Sequence, residues 1–188
     1  MMKFPVITAD PPWSFKVWSE KGMNRSPDAH YSVLNLDDIK RMPVQDLADD
    51  NCCLFLWVIN SMLPQGLAVI DAWGFKFKTI PFVYVKMNKN DSIFSGLGYW
   101  TRQNVELCLL GTKGKPKRKS KSVSQVILTH RLKHSQKPNE IYDRIERLVD
   151  GPYLELFARK KRGGQWSCWG DEVESDIELS LSGCAVHP

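Results

Sequence analysis

The chain has 188 residues, 43% hydrophobic and 25% charged, with a formal net charge of +5. That length suits one domain with a real core and leaves no room for a separate recognition domain. The composition is that of an ordinary soluble globular protein, and the positive balance is compatible with a polyanionic partner without demanding one. The five cysteines (Cys52, Cys53, Cys108, Cys168, Cys184) form no CxxC pair and complete no zinc set with the four histidines. Reduced thiols, a cytoplasmic setting and no bound metal are therefore expected. The longest apolar run, Cys52 to Ile59, is too short to cross a bilayer, and no signal-peptide pattern opens the chain.

The first apolar run, Phe4-Pro5-Val6-Ile7-Thr8-Ala9, reads as a short buried strand, and Asp10-Pro11-Pro12-Trp13 as the loop leaving its C-terminal end. Open α/β sheets carry ligand chemistry at that end. Two prolines fix φ and remove donors, so the Asp10 carboxylate and the Pro11 carbonyl form a rigid set of acceptors. Trp13 adds a flat face for stacking. Such acceptors suit the exocyclic amine of a nucleobase, whose lone pair is freed when both N–H bonds are gripped. A plain Pro-Pro turn, capped by Asp and buttressed by a buried Trp, explains the same four residues equally well.

The polar stretch Ser14 to Tyr31 reads as a long loop able to fold over a substrate. Asn35 then caps a short helix, with Asp37 and Asp38 in its first turn and Pro43 stopping it. Cys52 to Asn60 is a strand covered on both faces, in which Trp57 is read as core. Ser61 is expected to cap the next helix, with Leu63, Leu67 and Ile70 as its apolar stripe and Gly74 at its end. The strand Lys76 to Lys86 completes a βαβ unit. Between Lys86 and Arg102, Tyr99 and Trp100 stand among glycines, a pattern suited to base stacking.

The run Lys113 to Lys121 contains no apolar residue and is expected to be a mobile, solvated loop. Lys117 and Arg118 within it, with Arg131 beyond, read as phosphate contacts that position a nucleic acid without reading its sequence. Lys137-Pro138 opens a helix whose buried stripe is Ile141, Ile145 and Leu148, ending at Gly151. A cation at a helix N-terminus opposes the helix dipole, so Lys137 calls for an anion beside it. Tyr153 to Ala158 is the next buried strand, with Glu155 inside it requiring a partner. No G-x-G-x-x-G follows it.

In this order, Ala9-Asp10-Pro11-Pro12-Trp13, Leu54-Phe55-Leu56-Trp57-Val58, His134-Ser135-Gln136-Lys137-Pro138, Leu154-Glu155-Leu156-Phe157-Ala158-Arg159 and Trp169-Gly170-Asp171-Glu172 resemble the MT-A class of adenine methyltransferases. That family includes the messenger-RNA adenosine methyltransferase catalytic subunit and bacterial and phage relatives that modify DNA. The resemblance runs from about Val6 to Glu172. It implies an α/β, Rossmann-like fold with permuted motif order, a mostly parallel sheet and an antiparallel edge hairpin. It implies methyl transfer from S-adenosylmethionine to the N6 amine of adenine, with DNA the preferred substrate. RNA and a non-catalytic nucleic-acid-binding subunit are the alternatives, and a homodimer and a heterodimer both stay open. By resemblance, Asp10, Pro11, Pro12 and Trp13 are catalytic, while Tyr31, Trp100 and Glu106 lie on the acceptor side. Asp10, Lys137, Glu155, Phe157, Arg159, Asp171 and Glu172 belong to the cofactor site. Asp171 stands where the family usually has asparagine, and Ser32-Val33-Leu34-Asn35 departs from the family's usual Pro-Thr-Met-Ser. The methyltransferase domain is expected over residues 1–172, with 173–188 a peripheral or disordered tail.

Overall fold

Apolar runs too short to be helices and covered on both sides are what a central parallel strand requires, and the chain uses them that way. In the computed structural model, which describes residues 2–13, 34–132, 136–181 and 184–185, seven strands form one sheet. They are β1 (Phe4–Ala9), β2 (Ala48–Val58), β3 (Lys76–Met87), β4 (Val105–Lys113), β5 (Val126–His130), β6 (Tyr153–Leu156) and β7 (Trp166–Trp169), in the order β5-β3-β4-β2-β1-β6-β7. Only β4 runs against the others, pairing antiparallel with both β2 and β3. The β3–β4 hairpin is therefore not itself the edge, because β5 adds parallel to β3 outside it.

Among the described residues four helices cover the sheet: α1 (Leu36–Arg41), α2 (Val44–Leu47), α3 (Leu63–Ala72) and α4 (Glu140–Leu148). Ile39, Val44, Leu47, Val69, Ile70 and Trp73 from the first three pack on one face with Ile7, Ala9, Leu54 and Leu56. On the other face, Ile141, Tyr142 and Ile145 of α4 meet Val6, Phe55, Trp57 and Phe82. The alternation of β1 and β2 between two cores is the reason neither strand shows a polar side.

Asn35 caps α1 as its sequence predicts, accepting the Asp38 N–H at 2.9 Å. Elsewhere local details differ. Ser61 does not cap α3; residues Asn60–Met62 form a single 3₁₀ turn leading into it. Leu67, expected in the buried stripe, is 37% exposed, and Gly66 and Val69 face the sheet with Ile70 instead. A side chain at 66 would meet Leu109 and Val58, so helix and strand approach too closely there for anything larger. Helix α4 begins at Glu140, two residues after Pro138, and ends at Leu148 with Val149 as its cap.

Two segments expected to be loose are tied down. Lys119 donates its N–H to the Leu148 carbonyl at 2.9 Å, and its ammonium reaches Asp150 at 2.7 Å. Lys115 donates its N–H to Asn51 Oδ1 at 2.8 Å, while Lys113 lies inside β4. Beyond residue 172, Asp176 accepts the Cys168 N–H at 2.9 Å, and Leu179 is buried in the first core. Asp176 and Leu179 thus hold this part of the chain against the domain, and the described residues end in the small β8–β9 pair (Ser180–Leu181 with Cys184–Ala185).

Candidate active site

Chain connection reverses direction at β1: β2 lies on one side and β6, reached through α4, on the other. A crevice opens at such a switch point, outside the C-terminal ends of the strands. Here it has a volume of about 550 Å³ and is lined by the end of β1 (Thr8, Ala9, Asp10), the end of β6 (Glu155, Leu156, Phe157) and, among others, Trp57, Lys137, Tyr142 and Arg159.

Asp10 sits at the mouth of β1, its side chain 31% exposed, and its Oδ2 accepts from Lys137 Nζ at 2.5 Å. The anion that Lys137 requires is thus in the chain itself. A second one is Glu106, whose Oε2 lies 3.2 Å from the same ammonium. The sheet register brings it there: Ala9 faces Leu56, Trp57 faces Cys108 and Val58 faces Leu107, so Cys108 comes level with Asp10 and Glu106, two residues earlier in β4, lies just beyond the end of β1 within reach of Lys137. Glu106 also pairs with Lys86 of β3. Burial alone would raise the Glu106 carboxyl, but Lys137 and Lys86 outweigh it and hold the group down at about 2. Burial likewise opposes the charge on Lys137, yet Asp10 and Glu106 raise it above the ordinary lysine range. Lys137 also rides 5.2 Å over the Trp57 ring, giving that core residue a place at the site.

The other wall belongs to β6. Glu155 accepts from Tyr142 Oη at 2.7 Å through one oxygen and from Arg162 Nε at 2.8 Å through the other, while the Arg162 guanidinium stacks on the Tyr142 ring. Phe157 holds φ at 61°, in the left-handed region. Such a bulky residue costs about 1–3 kcal/mol there and persists only when its surroundings fix it. Here the fixing contacts are edge-to-face packing on Trp169 at 5.5 Å and the Ala158 N–H bond to the Trp169 carbonyl at 2.9 Å. Arg159 and Glu172 meet at the rim, 3.7 Å apart. Asp171, by contrast, is exposed and does not line the crevice.

One expectation for the acceptor side, a stacking face on Trp13, needs correction. Trp13 offers no open face: it is 5% exposed, packs in the core and donates its indole N–H to the Trp57 carbonyl at 2.9 Å. The Pro11 carbonyl already accepts the Trp13 N–H at 2.8 Å, which leaves it one lone pair. Lys117 and Arg118 are not at the crevice. The strand β4 runs downward from Glu106 to Lys113 opposite Cys52, so these residues leave the sheet at its far end. Arg131 does lie on the crevice side, its N–H on the Met87 carbonyl and its guanidinium 4.2 Å over Phe94. That contact belongs to the loop 88–104, which carries Trp100, 99% exposed. Tyr31, His134 and Ser135 lie outside the described residues.

Sequence reasoning missed Tyr142, Arg162 and Lys86. Tyr142 sits one residue off the helical stripe that was counted. Arg162 is hidden in a basic turn, which Gly163 and Gly164, both at positive φ, fold back toward β7. Lys86 was read only as the end of a strand.

The MT-A70 family matches residues 4–172 of the chain. The type II methyltransferase M.MunI of a Mycoplasma species is 30% identical over 96% of this chain and 83% of its own length. The human N(6)-adenosine-methyltransferase catalytic subunit METTL3 is 33% identical over 92% of this chain but 28% of its own length. An MT-A70-like N(6)-adenosine-methyltransferase of Arabidopsis thaliana is 30% identical over 90% of this chain and 24% of its own. Fold, crevice and relatives together define a methyltransferase of the Rossmann-like class. More narrowly, the chain belongs to the MT-A70 family, and relatives such as the human and Arabidopsis proteins are N(6)-adenosine-methyltransferases.

Proposed function

We propose that this chain transfers a methyl group from S-adenosylmethionine to the N6 amine of adenine in DNA, and that Asp10 is the residue that holds the amine. The observation that carries the reading is Asp10 at the open end of β1, lining the crevice with one oxygen clamped by Lys137. Bound in the crevice, S-adenosylmethionine supplies an electrophilic methyl on a sulfonium. The residues present fit such a group: the volume is within the range of roughly 300–1,000 Å³ usual for ligand pockets. The lining also offers an aromatic face (Phe157), acceptors (Glu155, Glu172) and cations (Arg159, Lys137).

The Asp10 oxygen left free by Lys137 accepts an N–H of the amine, so that nitrogen's lone pair turns toward the methyl. Glu155, Phe157, Arg159 and Lys137 would hold S-adenosylmethionine, which would supply the methyl, and Asp10 would take the proton that the amine gives up along that hydrogen bond. Holding the two reactants in line supplies much of the rate. The base has to leave its stack to reach this depth. Trp100 and Arg131, on the same end of the sheet, are the surface for the strand it leaves. DNA is the substrate proposed by analogy with the bacterial type II methyltransferase, which aligns with 96% of this chain.

The test is incubation with methyl-labelled cofactor and unmethylated DNA or RNA, followed by identification of the labelled nucleoside. N6-methyladenine in DNA is expected. Label in RNA alone would replace the substrate, and none in either would favour a non-catalytic subunit. Asp10→Ala is expected to lower turnover by on the order of 10²–10³-fold, the usual loss when one fixed partner of a transition-state charge is removed. Circular dichroism should show the fold retained. Full activity of that variant would refute the mechanism.

A further inference from the structure

Lys86 belongs to no motif and does not line the crevice. It nevertheless begins a row of four side chains of alternating sign: Lys86, Glu106, Lys137, Asp10. Burial is deepest in the middle of the row, with Glu106 15% and Lys137 9% exposed against 27% for Lys86 and 31% for Asp10. The groups facing Glu106 are Lys86 and, across the register, Tyr84 from β3, and Lys137 from the segment before α4, which brings Asp10 with it. Cys108 lies two residues along β4 itself and is fully buried. Glu106 therefore has two cations, while Asp10 has one, shared with Glu106.

We propose that Lys86 is a positioning residue for Asp10, acting through Glu106 and Lys137. The proposal rests on the methyl-transfer reading above. Lys137 stands 2.5 Å from Asp10 and 3.2 Å from Glu106, so its charge is divided unequally in favour of Asp10. That division depends on Glu106 having a second cation. Without Lys86, the buried Glu106 carboxylate draws Lys137 toward itself, because an unpaired charge in a low-dielectric site is strongly disfavoured. Asp10 then loses the clamp on Oδ2 that leaves its other oxygen aimed at the amine. Lys86 touches neither reacting partner, so substrate and cofactor binding are left intact while the orientation of the catalytic carboxylate is lost.

The test compares Lys86→Met with Lys86→Arg. The methionine variant is expected to lose about tenfold in kcat, the lower end of what losing an orienting partner of an active-site group costs, with KM for DNA and cofactor unchanged. The acid limb of its kcat profile moves to higher pH, since Glu106 has lost one of two cations that keep it ionised. The arginine variant restores both. Wild-type kcat and pH profile in Lys86→Met would overturn the proposal, as would a fall in kcat with an unmoved acid limb and a lowered melting temperature. A wild-type chain that methylates neither DNA nor RNA overturns the methyl-transfer reading instead. The coupling is then still read by carboxyl-carbon NMR, where Lys86→Met shifts the Asp10 resonance if the row is coupled and leaves it in place if it is not.

Discussion

Two parts of this chain are rich in charge, and they sit at opposite ends of one sheet. Lys113 to Lys121 carries six cations in nine residues, yet it lies where β4 ends, remote from the crevice, and its side-chain pairing is of the exposed Lys119–Asp150 kind. At the crevice end four charged groups, two of each sign, meet in one partly to largely buried row beside Asp10. Exposed pairs contribute little because water and salt screen them, whereas buried ones must be matched, since each unpaired member is costly. Charge density along a sequence therefore says less about a site than the burial of the charges that the fold brings together.

The largest effect that would sharpen this contrast is Lys137→Met. It strands Asp10 and Glu106 with a single cation between them, and a loss of about 3 kcal/mol in unfolding free energy is expected, the lower end for breaking a buried pair. A urea titration measures it; an unchanged midpoint would mean that the crevice charges are as screened as the exposed ones. Acid stability comes next. The Glu106 carboxyl is held at about 2 against an ordinary 4.5. A depressed carboxyl adds stability that is complete above its unfolded value and disappears as pH falls through its folded one. The stability difference between wild type and Glu106→Gln should therefore shrink between about pH 4.5 and 2. A difference constant across that window would break the comparison. The smallest effect belongs to the far end: the double substitution Lys117→Ala, Arg118→Ala should alter stability by less than about 0.5 kcal/mol. It should also leave the salt dependence of DNA binding unchanged. A shallower salt slope would return these two residues to the substrate surface.

Some of this was open to reading in the residues alone. The strands of β1, β2 and β6 follow from short apolar runs with no polar face, and the cap of α1 follows from Asn35 ahead of two aspartates. Local chemistry decides such features, since a backbone cap or a doubly buried strand has few alternatives. Asp10 at a strand end, and an anion beside Lys137, were likewise inferred from local physical needs.

What the residues could not reveal was which anion. A bound ligand's carboxylate or phosphate and a carboxylate from the chain's own β4 satisfy Lys137 equally well on paper. Only the register of β4 against β2 brings Glu106 to the end of β1, within reach of Lys137 beside Asp10. The same holds for Trp13, whose motif allowed an open stacking face or a buried prop; packing against Trp57 decided for the prop. Propensity and pattern act within a few residues, so the sequence by itself determined the elements and the end of β1 where chemistry would lie. Pairing between strands distant in the chain determined which charges meet there, because electrostatic and packing energies depend on separation in space and not along the backbone.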